Sequence, residues 1–392
     1  MLAPPDLLRV VHSVFIDRET LLHDYVPAKL PHRERELKRL KHYFEPVISG
    51  EAASVKVHLV GGVGTGKTLL CRKVGGIVAR ESGGRVKFAY VNLAYAHRPY
   101  HAMAEVHRQV LGVPAAGLSP EEMLRNILDY LVAEDASLLV ALDEVDAYIA
   151  EGRSQRILYM LPRAYELEPK AAGRISLIYA SRSLDWLKRL DEATLDTIGR
   201  TSAIHLSAYG FEQVRDIVAY RAELAFKPGA LDEELIDFVA QISMPYGGVR
   251  YALELLLEAG TLADYEGSKS VRAGHVRSAH ASIPKGANGA LCPEELSLHK
   301  QALLKAIYDA LNAYGSAYLP VEEAYSLYKV VCEQLNVEPE GEEEARAHIE
   351  ALSRDGYIML RAGAIAVEYP YERTLQIIER LLKKAKIYEP KP

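Results

Sequence analysis

Residues 55–60 (VKVHLV) form a β-branched run that ends in Gly61-Gly62, and helical spacing takes over across 67–79. Residues 86–93 (VKFAYVNL) read as a second strand, 137–142 (SLLVAL) as a third that is almost wholly apolar, 175–180 (ISLIYA) as a fourth and 203–206 as a short fifth. Helical patterns over 123–133 and 155–166 fall between them. A strand buried on both sides loses its polar/apolar alternation, so apolar strands alternating with helices predict a parallel sheet covered on both faces. Beyond residue 207 the strands stop. Residues 211–224, 232–242 and 248–258 carry apolar side chains at helical spacing, punctuated by Pro228-Gly229 and Pro245-Tyr246-Gly247. The stretch 281–293 (ASIPKGANGALCP) reads as a linker. Three more helical patterns follow at 300–313, 321–335 and 341–354. A hairpin over 357–361 and 364–369, turning at Ala362-Gly363, and a last helix over 371–386 close the chain. Helices followed by a β-hairpin outline a winged helix-turn-helix module, by analogy with known folds. The expected division is an α/β nucleotide-binding domain over 1–206, a small α-helical lid over 207–284 and a winged-helix domain over 290–392.

The first turn after a strand carries the chemistry. Gly61-Gly62-Val63-Gly64-Thr65-Gly66-Lys67-Thr68, followed by Leu69, matches G-x-x-x-x-G-K-[ST] between a strand and a helix. The glycines let backbone N–H groups turn inward on phosphates, and the helix N-terminus adds its positive end. In such a loop Lys67 reaches the β/γ-phosphates and the Thr68 hydroxyl coordinates Mg²⁺. The third strand then delivers Asp143 and Glu144 at its C-terminal end, where open α/β sheets bind ligands. Asp143 is expected to hold Mg²⁺ with Thr68, and Glu144 to polarise the attacking water. A strand lies in sequence between the two motifs, the acid is doubled, and no N/T-K-x-D guanine motif occurs. Those features favour a P-loop ATPase of the AAA+ type with ATP/ADP and Mg²⁺ as cofactors.

Val14-Phe15-Ile16-Asp17, Asp24-Tyr25-Val26-Pro27 and Leu30-Pro31-His32-Arg33-Glu34 resemble the N-terminal signature of the archaeal origin recognition complex family. These are AAA+ replication initiators, also described as cell division control protein 6 homologues. The resemblance runs on through the phosphate loop, the acidic strand end, Tyr209, Gly247-Gly248-Val249-Arg250 and the winged-helix tail. It implies that Tyr25, Val26, Pro27, Leu30, Pro31, His32 and Arg33 line an adenine pocket; the residues alone leave an arm that merely packs as the other reading. It also implies that Arg250 is a second sensor, an arginine on a lid helix that touches the γ-phosphate. Tyr209 aligns with an aromatic at the base–lid junction, near adenine, and a core tyrosine is the alternative. Two positions depart from the family pattern. Arg182 stands where the first sensor is normally a small amide, as a phosphate contact or a salt-bridged strand-end residue. The usual Leu-Asp-Pro-Arg is Leu190-Asp191-Glu192-Ala193, without the trans-acting arginine that contributes about 10³-fold or more to phosphoryl transfer. Slow turnover follows, with Arg200 as a candidate displaced finger.

What the resemblance implies about partners is duplex origin DNA, a replicative helicase and related initiator paralogues. In the winged helix, Arg346, His348 and Arg354 on the third helix and Arg361 at the hairpin tip are the candidate DNA contacts. The stretch 94–119 matches a family insertion that touches DNA; it holds His97, Arg98, His101, His107 and Arg108, with Arg98 and Arg108 the strongest candidates. Charge complicates this. The 392 residues hold 47 Lys+Arg and 53 Asp+Glu, a formal net charge of −6. Residues 290–392 account for 12 of the former and 17 of the latter, leaving 35 against 36 in the rest. The acidity therefore sits in the module that resembles a DNA reader, and the third helix opens with three glutamates. An alternative function follows: a AAA+ regulator or loader whose winged helix docks proteins without origin specificity. Cys71, Cys292 and Cys332 share no ligand spacing and read as buried thiols. With no membrane-length apolar run and no signal peptide, the expected location is cytoplasmic, associated with the nucleoid.

Overall fold

A computed structural model describes residues 13–51, 54–199, 202–283, 296–370, 378–380 and 382. They form two compact units, Val26–Gly210 and residues 13–25 together with those from Phe211 onward.

The first unit is built on five parallel strands, β1 (Lys56–Gly61), β2 (Val86–Asn92), β3 (Ser137–Asp143), β4 (Ile175–Ser181) and β5 (Ser202–Leu206), in the order β2-β3-β4-β1-β5. Its helices are α1 (Glu34–Ser49), α2 (Lys67–Glu81), α3 (Pro99–Leu111), α4 (Pro120–Ala133), α5 (Val145–Ala150), α6 (Arg156–Met160) and α7 (Glu192–Ile198). The period of two along β3 divides its side chains between two cores. Leu138, Val140 and Leu142 pack with Met103, Ile127 and Leu177, while Leu139 and Ala141 pack with Leu40, Phe44 and Leu70. All five expected strands are present. The expected helix over 155–166 is broken after α6, because Pro162 has no N–H to donate to Leu158; a 3₁₀ turn at Ala164–Glu166 follows. The long helix α1, not among the expected elements, has an apolar face of Leu40, Phe44 and Val47 and carries Pro46 in its last turn.

One buried cluster departs from the apolar rule. His58 on β1 lies opposite Tyr179 on β4, their rings 5.3 Å apart, with Trp186 5.9 Å from His58. Both His58 nitrogens, the Tyr179 hydroxyl and the Trp186 indole N–H have no hydrogen-bond partner among the described residues. Burial holds the His58 pKa down at about 4, against an ordinary 6.5. Below pH about 6.5 the unfolded chain takes up a proton that the folded one refuses until about pH 4, so stability falls as pH drops through that window. The expected loss is about 3 kcal/mol. Trp186 is the single tryptophan, so denaturant titrations followed by its fluorescence at pH 7 and pH 4.5 read this directly. A His58→Leu variant should lose that share of the slope and keep only what the carboxylates contribute, and an equal slope in both proteins rejects the assignment.

The second unit contains α8 (Phe211–Ala225), α9 (Glu233–Ser243), α10 (Val249–Tyr265), α11 (Ala273–Ser282), α12 (Leu298–Tyr314), α13 (Val321–Leu335) and α14 (Glu342–Arg354). A small antiparallel sheet has the order β6 (Tyr318–Pro320), β8 (Ala364–Ala366), β7 (Met359–Arg361). The β7–β8 turn uses Ala362 at φ 47° and Gly363 at φ 79°, the two positive values that a tight hairpin turn demands. Most of the expected final helix lies outside the described residues. Residues 13–25 belong to this unit because Asp264 gathers them: it accepts from the Ser13 hydroxyl at 2.7 Å and the Val14 N–H at 2.6 Å, and pairs with Arg18. Phe15 stacks on Phe226 at 4.6 Å, a contact that leaves no room for a side chain at Gly260. Buried Arg277 on α11 donates to the carbonyls of Ser316, Ala317 and Val367, and Glu234 on α9 accepts from the Ala317 N–H at 2.8 Å. The segments flanking β6 and β8 are thus tied to the preceding helices by hydrogen bonds from side chains to the backbone.

Candidate functional site

The loop between β1 and α2 is shaped by its glycines. Gly64 and Gly66 take φ of 75° and 90°, values that cost a side-chain-bearing residue energy. A Cβ on Gly61 would sit 2.7 Å from Thr65 Oγ1 and 2.9 Å from Leu206. Within the loop Lys67 Nζ donates to the carbonyls of Gly61 and Gly62, at 2.7 and 2.9 Å. The ammonium is thus drawn back onto the loop and kept from water. Across the sheet rim, the Thr68 hydroxyl donates to Asp143 Oδ2 at 2.6 Å. Asp143 is fully buried and receives two further donors, Tyr90 Oη at 2.8 Å and the Glu144 N–H at 2.9 Å. The two motifs, 75 residues apart, meet in one spot.

Tyr90 has no place in either motif. It is on β2, and burial followed by the Asp143 charge pushes its pKa up, keeping the phenol protonated as a donor. Arg72 covers its ring at 4.4 Å. An alternating strand position is its only sequence signal. Glu144 adopts φ 56°, ψ 39° as the chain turns from β3 into α5. A non-glycine residue in that region marks a position held by its surroundings. Its Oε2 is shielded from solvent with no hydrogen-bond partner among the described residues, and Arg182 Nη2 approaches it at 3.6 Å.

The expected adenine-pocket residues take different places. Leu30, Pro31, His32 and Arg33 make a turn closed by Arg33 N–H to Leu30 C=O at 3.0 Å, with His32 at φ 64°. Leu30 joins the core. Arg33 is buried, its guanidinium turned onto the carbonyls of His32, Thr65 and Ser207 and lying 4.0 Å above the Tyr209 ring. Tyr209 reaches back to Gly66, where a Cβ would stand 3.1 Å from its hydroxyl. Arg33 and Tyr209 therefore buttress the phosphate loop. Pro27 offers its carbonyl to Lys73 at 2.9 Å, and Val26 lines a cavity of about 730 Å³ with Arg72, Tyr90, His101 and Gln109. Tyr25 belongs to the other unit, under the guanidinium of Arg221. Arg250 is exposed at the start of α10, after Gly247 and Gly248 at positive φ. Burial and then the Arg250 charge lower the pKa of His23. Val63 is exposed at the loop tip and Leu69 is half-buried against the core.

The candidate DNA contacts separate sharply. Arg98 is exposed at the N-terminus of α3. Arg108 is exposed but doubly bonded to Glu105. His107 is buried and bonded to Val113, which removes it from the basic surface expected of residues 94–119. On α14, Arg346 pairs with Glu342 at 3.0 Å and His348 with Glu340 at 2.6 Å; Arg354 is exposed. Arg361 pairs with Glu212 at 3.2 Å and lies 3.3 Å above the Phe211 ring. Arg200 and Cys292 lie outside the described residues, while Cys71 and Cys332 are buried free thiols as expected.

Three family models match in chain order: an AAA domain over residues 57–187, a Cdc6 AAA+ ATPase-type lid domain over 215–281 and a CDC6 C-terminal winged helix domain over 292–365. An ORC1-type DNA replication protein 2 of Sulfurisphaera tokodaii is 32% identical over 361 residues, 89% of this chain and 86% of that protein. The chain belongs to the archaeal Orc1/Cdc6 family. Its fold matches Cdc6p from Pyrobaculum aerophilum with a TM-score of 0.79 at 25% identity, covering 95% of this chain and 100% of that one. The ORC1 protein of Aeropyrum pernix, solved in complex with DNA, gives 0.60 at 28% identity over 94% of this chain and 97% of that one. The expected α/β P-loop domain, helical lid and winged helix are all borne out, and the chain is a DNA replication initiator of the AAA+ class. No described helix is long and apolar enough to cross a membrane.

Proposed function

We propose that this Orc1/Cdc6 member is an ATP-binding initiator that recognises origin duplex DNA and uses its nucleotide state as a switch for loading a replicative helicase. The observation that carries the nucleotide half is the convergence of Lys67, Thr68 and Asp143 at one sheet rim, beside the glycine-rich loop. The donor set fits Mg²⁺: a hydroxyl and a carboxylate oxygen share a hydrogen bond, and that ion takes one or two protein oxygens alongside water and phosphate. When bound, the ion neutralises phosphate charge. Thr68 and Asp143 would hold it, Tyr90 orients Asp143, and Glu144 accepts the proton of the attacking water. Arg250 reports the γ-phosphate from the lid. With alanine at position 193 in place of the family's trans-acting arginine, turnover is slow and the state persists.

For DNA, Arg98, Arg354 and Arg361 are the placed cations, and related initiator paralogues are the expected co-occupants of a site. A second reading, a loader whose winged helix docks proteins, is favoured by the exposed row Glu342, Glu343, Glu344 and Glu350 on α14. Nuclease footprinting over a salt series separates the two. The initiator reading expects sequence-specific protection with a modest salt slope, set by a few phosphate contacts. Binding only at the lowest salt, equal on all sequences, supports the docking reading instead.

A further inference from the structure

β3 and β4 pair in parallel, Leu142 beside Tyr179. The residues that follow them, Glu144 and Arg182, leave the sheet on the same rim. The Arg182 Nη2 to Glu144 Oε2 distance is 3.6 Å. That oxygen is buried and has no hydrogen-bond partner among the described residues, so Arg182 meets it as an ion pair alone. Two features fix the approach. Glu144 starts from a left-handed backbone that sets the origin of its side chain. After β4, the Ser181 hydroxyl donates to Ser183 O at 2.8 Å and closes the turn that carries Arg182. The Arg182 guanidinium is therefore the charged group facing the carboxylate oxygen left bare by every other contact.

We infer that Arg182 is a brake on hydrolysis: it engages the Glu144 oxygen that would take the proton of the attacking water. This rests on the ATPase reading and deepens it. A carboxylate oxygen directed at a guanidinium must give up that contact before it accepts a proton. Arg182 acts through Glu144, so it is a positioning residue. Its side chain is 56% exposed, and such a screened pair shifts a population by a few-fold only. The brake slows turnover without blocking it, and adds to the missing trans-acting arginine in keeping the nucleotide loaded.

The test is single-turnover ATP hydrolysis by the full chain at saturating ATP, alongside nucleotide affinity, for the parent, Arg182→Asn and Arg182→Lys. Arg182→Asn should hydrolyse about two- to fivefold faster with affinity nearly unchanged, and Arg182→Lys should fall between. The gain should shrink as salt rises, because an exposed pair is screened. Adding Arg182→Asn to a Glu144→Gln protein should change nothing. A slower or unchanged Arg182→Asn protein that still binds ATP overturns the brake and leaves the ATPase reading standing. If the parent fails to bind ATP, or Glu144→Gln hydrolyses as fast as the parent, the ATPase reading itself fails and the brake goes with it.

Discussion

Replacing Lys67 with alanine should abolish ATP and ADP binding at concentrations that saturate the parent, a loss of at least ~100-fold in affinity. Charge-assisted bonds to phosphate are the strong ones, and the Lys67 ammonium is already held inside the loop by the carbonyls of Gly61 and Gly62. Phosphate oxygens carry more negative charge than those carbonyls, so the ammonium moves to them at little cost in burial. Removing it leaves the loop N–H groups and the helix dipole, which together lack a full positive charge. Titration with a fluorescent ATP analogue reads the effect. Thermal unfolding without nucleotide serves as the folding control, since the two loop carbonyls regain water when the side chain is gone. Binding within about tenfold of the parent would mean that the phosphates sit elsewhere.

Glu144→Gln should bind ATP as the parent does and hydrolyse it ~10²-fold or more slowly, the usual contribution of a positioned general base. The amide keeps the shape of the side chain but cannot take a proton. It also loses the charge that attracts Arg182. The parent's own rate per protomer should stay flat as protein concentration rises, because position 193 is alanine and Asp191 is spent capping α7 through the Thr194 N–H at 2.8 Å. A steep rise with concentration would show that an arginine arrives from another copy. Hydrolysis undiminished in Glu144→Gln would remove Glu144 as the base.

Features carried by local sequence were legible in advance. The phosphate loop, the five strands and the Ala362-Gly363 turn each depend on a few consecutive residues whose backbone requirements are specific. The joining of Thr68 to Asp143 was legible too, since each motif has one geometric partner. What local sequence does not announce depends on distant residues. Arg33 has the look of a nucleotide contact, yet it satisfies three carbonyls at once and buttresses the loop, a role that exists only after residues 33, 65 and 207 meet. Tyr90 reaches Asp143 because β2 lies beside β3, which no motif announces. Helical periodicity runs across 155–166, but Pro162 has no N–H to continue the ladder and ends the helix. Arg361 and Arg346 were expected at DNA; each has a carboxylate partner in its own unit, Glu212 and Glu342. Both pairs are partly exposed, so each is worth at most about 1 kcal/mol and yields to phosphate.

That competition gives the acidic winged helix its meaning. On the proposed reading, a module with 12 basic and 17 acidic residues over 290–392 would bind DNA through few placed cations and depend on the rest of the chain for the remainder. The most direct measurement is footprinting on a library of genomic duplex fragments with the protein loaded with ATP, loaded with ADP, or carrying Lys67→Ala. It should be repeated from about 50 to about 200 mM salt. Protection of particular fragments should persist across this range and differ between the ATP-loaded and ADP-loaded protein, with Lys67→Ala insensitive to either nucleotide. Protection equal on all fragments, lost above the lowest salt and indifferent to nucleotide, would contradict the initiator reading.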